Sequence, residues 1–337
     1  MAAEGLSLAE AETLAKRALM ACGASEANAA STARALVAAE ADGQSGHGLG
    51  RVASYGAQIR AGKIDGTATP ALRQTRAAAV RIDARRGLAY PALDLAVEAL
   101  SPLARDAGVA AAGVFASHHI GQAGRTVERL AGLGLVALIV SNTPKAMAFH
   151  GAARPMMGTN PLAFAAPLPG RAPLVIDMAL SLVARSKIVA AQKAGEAIPA
   201  DWGNDAEGQP TTDPSAALAG ALAPAGGAKG AALALMVEIL CAALAGGQYG
   251  WEASSFLDDQ GPSPAIGQVI LALDPGAFAG PDFLRRMAQL VGMMSAEDGV
   301  RLPGDRRLAK RADAAAHGLR VAPALLAELA SLARAAA

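Results

Sequence analysis

From Ser7 to Ala41 the apolar residues recur at helical spacing. Leu8, Leu14, Ala15 and Leu19 mark a first amphipathic helix, with Ser7 as N-cap and Glu10 three positions on as a capping-box partner. Ala24-Ser25-Glu26 opens a second, alanine-rich helix reaching about Ala41. From Val109 the pattern changes to short apolar runs followed by helical periodicity. Val109–Phe115, Leu135–Val140, Pro173–Met178 and Ile266–Asp274 read as strands, and Thr126–Leu133 as a helix. This alternation predicts an α/β domain with a substantially parallel sheet. Residues 196–227 are rich in Gly, Pro and Asp and predict a long loop, of the kind that serves as a functional segment or lid. The C-terminal 55 residues are mostly helical, and the Ala-Ala runs at their end predict fraying.

Composition narrows the class. The chain has 337 residues, 53% apolar and 18% charged, which excludes disorder and suggests about two domains or one large interwoven one. Thirty basic against 29 acidic residues leave no basic footprint for nucleic acid and no general attraction to a membrane surface. Ala231–Ala245 is too short and alanine-rich to span a bilayer and carries Glu238 at its centre, so it predicts a buried helix. Met1–Ala24 is amphipathic and lacks the build of a signal peptide. Cys22 and Cys241 lie far apart, match no metal spacing and read as reduced, buried thiols, pointing to the cytoplasm.

Three of the five histidines fall in two glycine-rich segments. In Asp42–Arg51, four glycines within eight positions are costly for a helix, so something beyond local stability holds them there. His47 precedes Arg51 by four positions, and a helical segment would set both on one face. A guanidinium can grip a carboxylate in two parallel hydrogen bonds, and an imidazole can protonate a developing alkoxide. The bland alternative is a histidine packed near a helix end beside a solvated arginine. His118-His119 follows a strand and precedes Gly121; one ring is expected to face inward and the other away. A zinc site from His47, His118, His119 and His150 lacks any supporting spacing, so no metal is expected. Gly226-Gly227-Ala228-Lys229-Gly230 stands before a helix as an anion site or a plain turn, and Arg301–Arg307 as a phosphate-gripping loop or a charged turn. No G-x-G-x-x-G follows a strand.

Taken in order, these segments resemble the type 2 malate/L-lactate dehydrogenase family. Asp42–Arg51 with Tyr55, His119-Ile120-Gly121 with Gly124, Gly158-Thr159-Asn160-Pro161, Pro173–Asp177, Ala184–Ile188, Pro210–Pro214, Gly226–Leu240 and Leu302-Pro303-Gly304 carry the likeness. The resemblance implies an NAD- or NADP-dependent oxidoreductase with a non-Rossmann cofactor fold, a mixed sheet flanked by helices. A helical substrate lobe of 1–105, joined by 285–337, would stand beside a cofactor domain of 106–284. It further implies a homodimer with the active site near the subunit interface and a small carboxylate substrate. His47 matches the family's proton donor, His119 a second active-site histidine, Arg51 the carboxylate holder and Thr159 a substrate contact. His119, Ile120, Gly121, Gln122, Ala123, Asp177, Met178, Ala179, Lys229, Gly230, Pro303, Gly304, Asp305 and Arg306 match segments lining the cofactor. The choice between NAD and NADP is not legible, with Arg125, Arg129, Lys145 and Arg306 as candidate cations.

Two departures bear on the substrate. The family's serine before the acid is replaced by Gly46, and Lys187 stands near where imine-reducing relatives have an aspartate. Without a carboxylate neighbour, His47 is expected to keep a pKa near its free value of about 6.5. That favours reduction of a 2-oxo acid of the malate, lactate or sulfolactate type. The alternatives are reduction of Δ1-pyrroline-2-carboxylate or Δ1-piperideine-2-carboxylate, and a degenerate member that binds a nucleotide and a partner protein.

Overall fold

A computed structural model describes residues 5–334; the terminal alanines expected to fray lie outside the described residues. The chain opens with α1 (Leu8–Ala21), where Ser7 and Glu10 form the expected capping box, then α2 (Glu26–Ala41) and α3 (Arg51–Arg60). A hairpin of β1 (Ala71–Arg76) and β2 (Ala79–Asp83) leads to α4 (Ala89–Ala107), β3 (Val109–Ser117), α5 (Ala123–Gly132) and β4 (Val136–Ser141). Short β5 (Met147–Ala148) and β6 (Pro155–Met157) precede the hairpin β7 (Leu162–Leu168) and β8 (Arg171–Met178). Next come α6 (Arg185–Ala194), β9 (Gly203–Asn204), α7 (Pro214–Ala219), β10 (Ala221–Leu222) and α8 (Ala228–Glu238). The chain closes with β11 (Ile266–Leu273), α9 (Asp282–Ser295), α10 (Asp305–His317) and α11 (Pro323–Arg334).

The main sheet has the order β1-β2-β3-β11-β4-β7-β8, and only β2 and β3 pair in parallel. The substantially parallel sheet read from the local alternation is therefore corrected to a mixed one flanked by helices, as the resemblance implied. The local reading had a physical basis: β3, α5 and β4 form a crossover whose two strands run the same way. The late strand β11, far off in sequence, inserts between them and pairs antiparallel with both. A second small sheet, β6-β5-β10-β9, organises the stretch expected to be loop, together with α7.

Three apolar clusters follow from this layering. Leu93, Val97 and Leu100 of α4 and Val127 and Leu130 of α5 pack on one face of the sheet against Val114, Ile139 and Ile270. α8 and the turn that continues it cover the other face, with Ala234, Val237 and Cys241 against Val140 and Val269. α8 continues as a π-helical turn over Ile239–Leu244, and this stretch is only half covered, since Ile239 is 52% and Leu244 69% exposed. The third cluster joins α1, α2 and α3 to α11 through Leu19, Leu36, Val52, Tyr55 and Leu329. Both cysteines are buried and free.

Candidate active site

The glycine-rich segment after α2 is not a helix. A single 3-10 turn, Ser45–His47, is followed by α3, which starts at Arg51. His47 and Arg51 therefore do not share a helix face. The turn brings them together instead, with Arg51 Nε donating to the Gly46 carbonyl at 2.8 Å. Four glycines block a continuous helix, and at Gly48 a Cβ would lie 2.0 Å from the Glu40 carboxylate, which accepts the Leu49 N–H at 2.9 Å. Among the described residues the Arg51 Nη atoms have no hydrogen-bond partner, so both remain available to a carboxylate.

β3 delivers the two adjacent histidines against α3. Both are buried, which corrects the expectation that one would face away, because the strand's end is covered by α3 on one side and by Phe256 on the other. His118 Nε2 pairs with Gln58 Oε1 at 2.9 Å. His119 Nε2 lies 3.2 Å from His47 Nδ1, and its Nδ1 lies 2.6 Å from Tyr55 Oη. The rings of His47 and His119 stack, with centroids 5.2 Å apart. Burial and the nearby Arg51 charge push the His47 pKa down to about 4, correcting the expected value near 6.5. Burial, then Arg51, then the other two imidazoles hold His119 well below the usual histidine range. Burial and the Lys63 ammonium take His118 down to about 3. All three rings are neutral at pH 7.

A second group of predicted residues lies along a continuous line from His119. Ile120, Gly121 and Gln122 lead into α5, which starts at Ala123, and the Gly124 N–H donates to Asp177 Oδ2 at 2.8 Å. Leu180, just past Asp177-Met178-Ala179, donates its N–H to the Thr159 carbonyl at 2.8 Å. Ser181 bridges to Pro224, which brings the start of α8 with Lys229 and Gly230 alongside. Gly304 lies against the Val175 backbone, joining Pro303, Asp305 and Arg306 to the same strand end. The structure thus assembles His47, Arg51 and His119 in one cluster, and Thr159 with the segments expected to line a cofactor in an adjoining one. Within the second cluster, Cβ positions at Gly226 and Gly227 would meet nothing within 4 Å, so the α8 N-terminus stands open beside Lys229. Open N–H groups, a helix dipole and a cation suit a dinucleotide phosphate.

Sequence reasoning missed several residues. Arg307 does not face a phosphate; it is buried between Asp42 Oδ2 at 3.1 Å and Glu128 Oε2 at 2.9 Å. Arg311 joins the same two carboxylates. Tyr55 carried the family likeness without a role, and no spacing signal could mark Gln58, Phe256 or Lys63. The Lys63 ammonium is buried on the carbonyls of Ser255 and Gln260, both at 2.7 Å, and so pins the loop that bears Phe256. Of the candidate cations, Arg125 and Arg129 are tied to Glu128 and Asp94.

The mixed sheet flanked by helices, with no G-x-G-x-x-G after a strand, defines an α/β protein of non-Rossmann fold. The malate/L-lactate dehydrogenase family model matches residues 6–330, and the chain belongs to that family. It is 51% identical over 306 residues to the (2R)-3-sulfolactate dehydrogenase (NADP(+)) of Chromohalobacter salexigens, covering 91% of each chain. It is 43% identical over 300 residues to the Δ1-pyrroline-2-carboxylate/Δ1-piperideine-2-carboxylate reductase of Pseudomonas putida, covering 89% of this chain and 88% of that one. The crystal structure of the Δ1-piperideine-2-carboxylate reductase from Pseudomonas syringae superposes with a TM-score of 0.93 at 39% identity, covering 98% and 99% of the two chains. The protein is an oxidoreductase using NAD or NADP.

Proposed function

We propose that the protein transfers a hydride reversibly between NAD(P)H and C2 of a small 2-oxo acid of the malate, lactate or sulfolactate type. The observation that carries this is the close grouping of the available Arg51 guanidinium with the His47–His119 pair. Arg51 orients the substrate carboxylate in two parallel hydrogen bonds, with Thr159 as a further substrate contact. His47, with His119 behind it, serves the proton at the substrate oxygen. The α5 start from His119 to Ala123, the Asp177–Ala179 segment, Lys229 with Gly230, and Pro303–Arg306 hold the cofactor, which supplies the hydride when bound.

The lobe of 1–105 with 285–337 serves the substrate and lends β1 and β2 to the sheet of the cofactor domain, 106–284. Apolar side chains left uncovered on α8 and its extension, Leu235, Met236, Ile239 and Leu244, suit a homodimer with the site near its interface. No helix among the described residues is long and apolar enough to cross a membrane, and two free cysteines suit a cytoplasmic protein.

Reduction of a cyclic imino acid is the second reading, supported by the relatives named for it. Against it stands the absence, among the described residues, of a carboxylate hydrogen-bonded to His47. A panel of 2-oxo acids and cyclic imines with NADH and NADPH, followed at the reduced-nicotinamide absorbance, tests both. Turnover fastest with a 2-oxo acid supports the proposal; higher kcat/KM with the imines rejects it.

A further inference from the structure

Tyr90, Tyr55, His119 and His47 form one line of hydrogen bonds through the buried interior. Tyr90 Oη lies 3.2 Å from Tyr55 Oη, Tyr55 Oη 2.6 Å from His119 Nδ1, and His119 Nε2 3.2 Å from His47 Nδ1. Among the described residues Tyr90 Oη has no other partner, and Tyr55 Oη has only these two. Both phenols are buried, and Gly121 presses its backbone against the Tyr90 hydroxyl. Burial holds both phenols above their ordinary range, so each keeps its proton.

A neutral imidazole has one N–H and one bare nitrogen, and each phenol has one proton to place. If His119 carried its proton on Nδ1 and donated to Tyr55, one of the two phenol protons would be left without an acceptor. Buried donors without acceptors are rare because the lost hydrogen bond is not replaced by water. One order satisfies every proton. Tyr90 donates to Tyr55, Tyr55 donates to His119 Nδ1, and His119 Nε2–H donates to His47 Nδ1. The 2.6 Å separation agrees, since it falls in the range of O–H donors and below that of N–H donors.

We infer that Tyr55 is a positioning residue that sets both His119 and His47 as Nε2–H tautomers, so that His47 offers the substrate an N–H donor and no lone pair. The consequence for substrate class rests on the 2-oxo-acid reading above and deepens it. A carbonyl oxygen carries only acceptor lone pairs and meets this N–H directly. A cyclic imine in the protonated form that accepts hydride presents an N–H of its own and meets the histidine donor to donor. The line of hydrogen bonds therefore favours 2-oxo acids over protonated cyclic imines through His47, while Tyr55 and Tyr90 contact neither.

The test uses full-length protein labelled with nitrogen-15 in its histidines, with His47→Asn and His119→Asn spectra to identify the peaks. Long-range proton–nitrogen correlations at pH 7.5 report the tautomer of each ring. Nε2–H for both His119 and His47 is expected; Nδ1–H on His119 overturns the inference. In Tyr55→Phe, the His47 ring is expected to become a mixture of tautomers. The ratio of kcat/KM for the best 2-oxo acid to that for Δ1-piperideine-2-carboxylate is expected to fall about five- to tenfold, the worth of one neutral hydrogen bond. An unchanged tautomer and an unchanged ratio in that variant also overturn it. If no 2-oxo acid turns over, the functional reading fails while the wild-type nitrogen spectra still decide the tautomers.

Discussion

His118 offers the sharpest test of the electrostatics. Its ring is 1% exposed, Nε2 donates to Gln58, and Nδ1 has no hydrogen-bond partner among the described residues. Gln58 is fixed in that role because its own amide donates to the Phe256 carbonyl at 3.0 Å, leaving Oε1 for the histidine. A second proton would place a full charge on Nδ1, in an apolar site that already feels the Lys63 ammonium. The folded-state pKa is accordingly about 3, against about 6.5 for a free histidine. The unfolded chain takes up this proton first, so stability is intact above the unfolded pKa and is lost as pH falls through 6.5 toward 3. At about 1.4 kcal/mol per pH unit, the loss from His118 alone between pH 7.5 and 4.5 is roughly 3 kcal/mol. His118→Gln keeps an N–H donor for Gln58 and cannot titrate. Urea unfolding of both proteins at pH 7.5, 6.5, 5.5 and 4.5 isolates the contribution, because other titrating groups are common to the two. The variant's curve of stability against pH is expected to be shallower by one proton. Parallel curves would refute the buried neutral ring.

Two further outcomes follow from the geometry. Arg51→Met removes the carboxylate grip and is expected to lower kcat/KM for a 2-oxo acid about 10- to 100-fold, the worth of a charge-assisted hydrogen bond. Most of that loss should appear in KM with the cofactor Kd unchanged, and a KM within threefold of wild type would count against the role. Gly121→Ala puts a Cβ 2.5 Å from Tyr90 Oη at a backbone φ of +64°, so the urea midpoint should fall by about 1–3 kcal/mol of stability. An unchanged midpoint would mean that the close approach is not real.

Short-range signals were the legible part of this chain. The capping box at Ser7 and the strand over Val109–Phe115 lie where periodicity and side-chain chemistry put them, because each depends on residues within a few positions. Sheet direction was not legible, since β11 enters between β3 and β4 from more than 120 residues downstream and no local pattern records that insertion. His47 and Arg51 could be picked out, but the reason given, one helix face, was wrong: a 3-10 turn joins them. The pKa of His47 was out of reach for the same cause. It is set by burial under partners from α3 and β3, and a nearest-neighbour reading saw only the missing carboxylate. Tyr55, Gln58 and Phe256 reach His118 and His119 from about 60 to 140 positions away.

The buried ion cluster explains how such distant segments keep a common frame. Asp42 caps the end of α2, Glu128 lies on α5, and Arg307 and Arg311 stand one turn apart on α10. With Arg125 also on Glu128, three guanidinium groups surround the two carboxylates. Burial alone would raise the Glu128 pKa, but hydrogen bonds from Arg311 and Arg307 override it and hold the carboxyl down to about 2. Such a cluster contributes little net stability, because desolvation offsets most of its attraction. Its value lies in direction. Helices α1 and α2 are packed largely through alanine. Fork-shaped guanidinium pairs accept only one register. Gln122 also donates to Asp42 Oδ2 at 3.0 Å, so the cluster ties together the turn bearing His47, the start of α5 and the helix that follows Pro303-Gly304. Both halves of the candidate site are thus set against one another by charges that never touch a substrate.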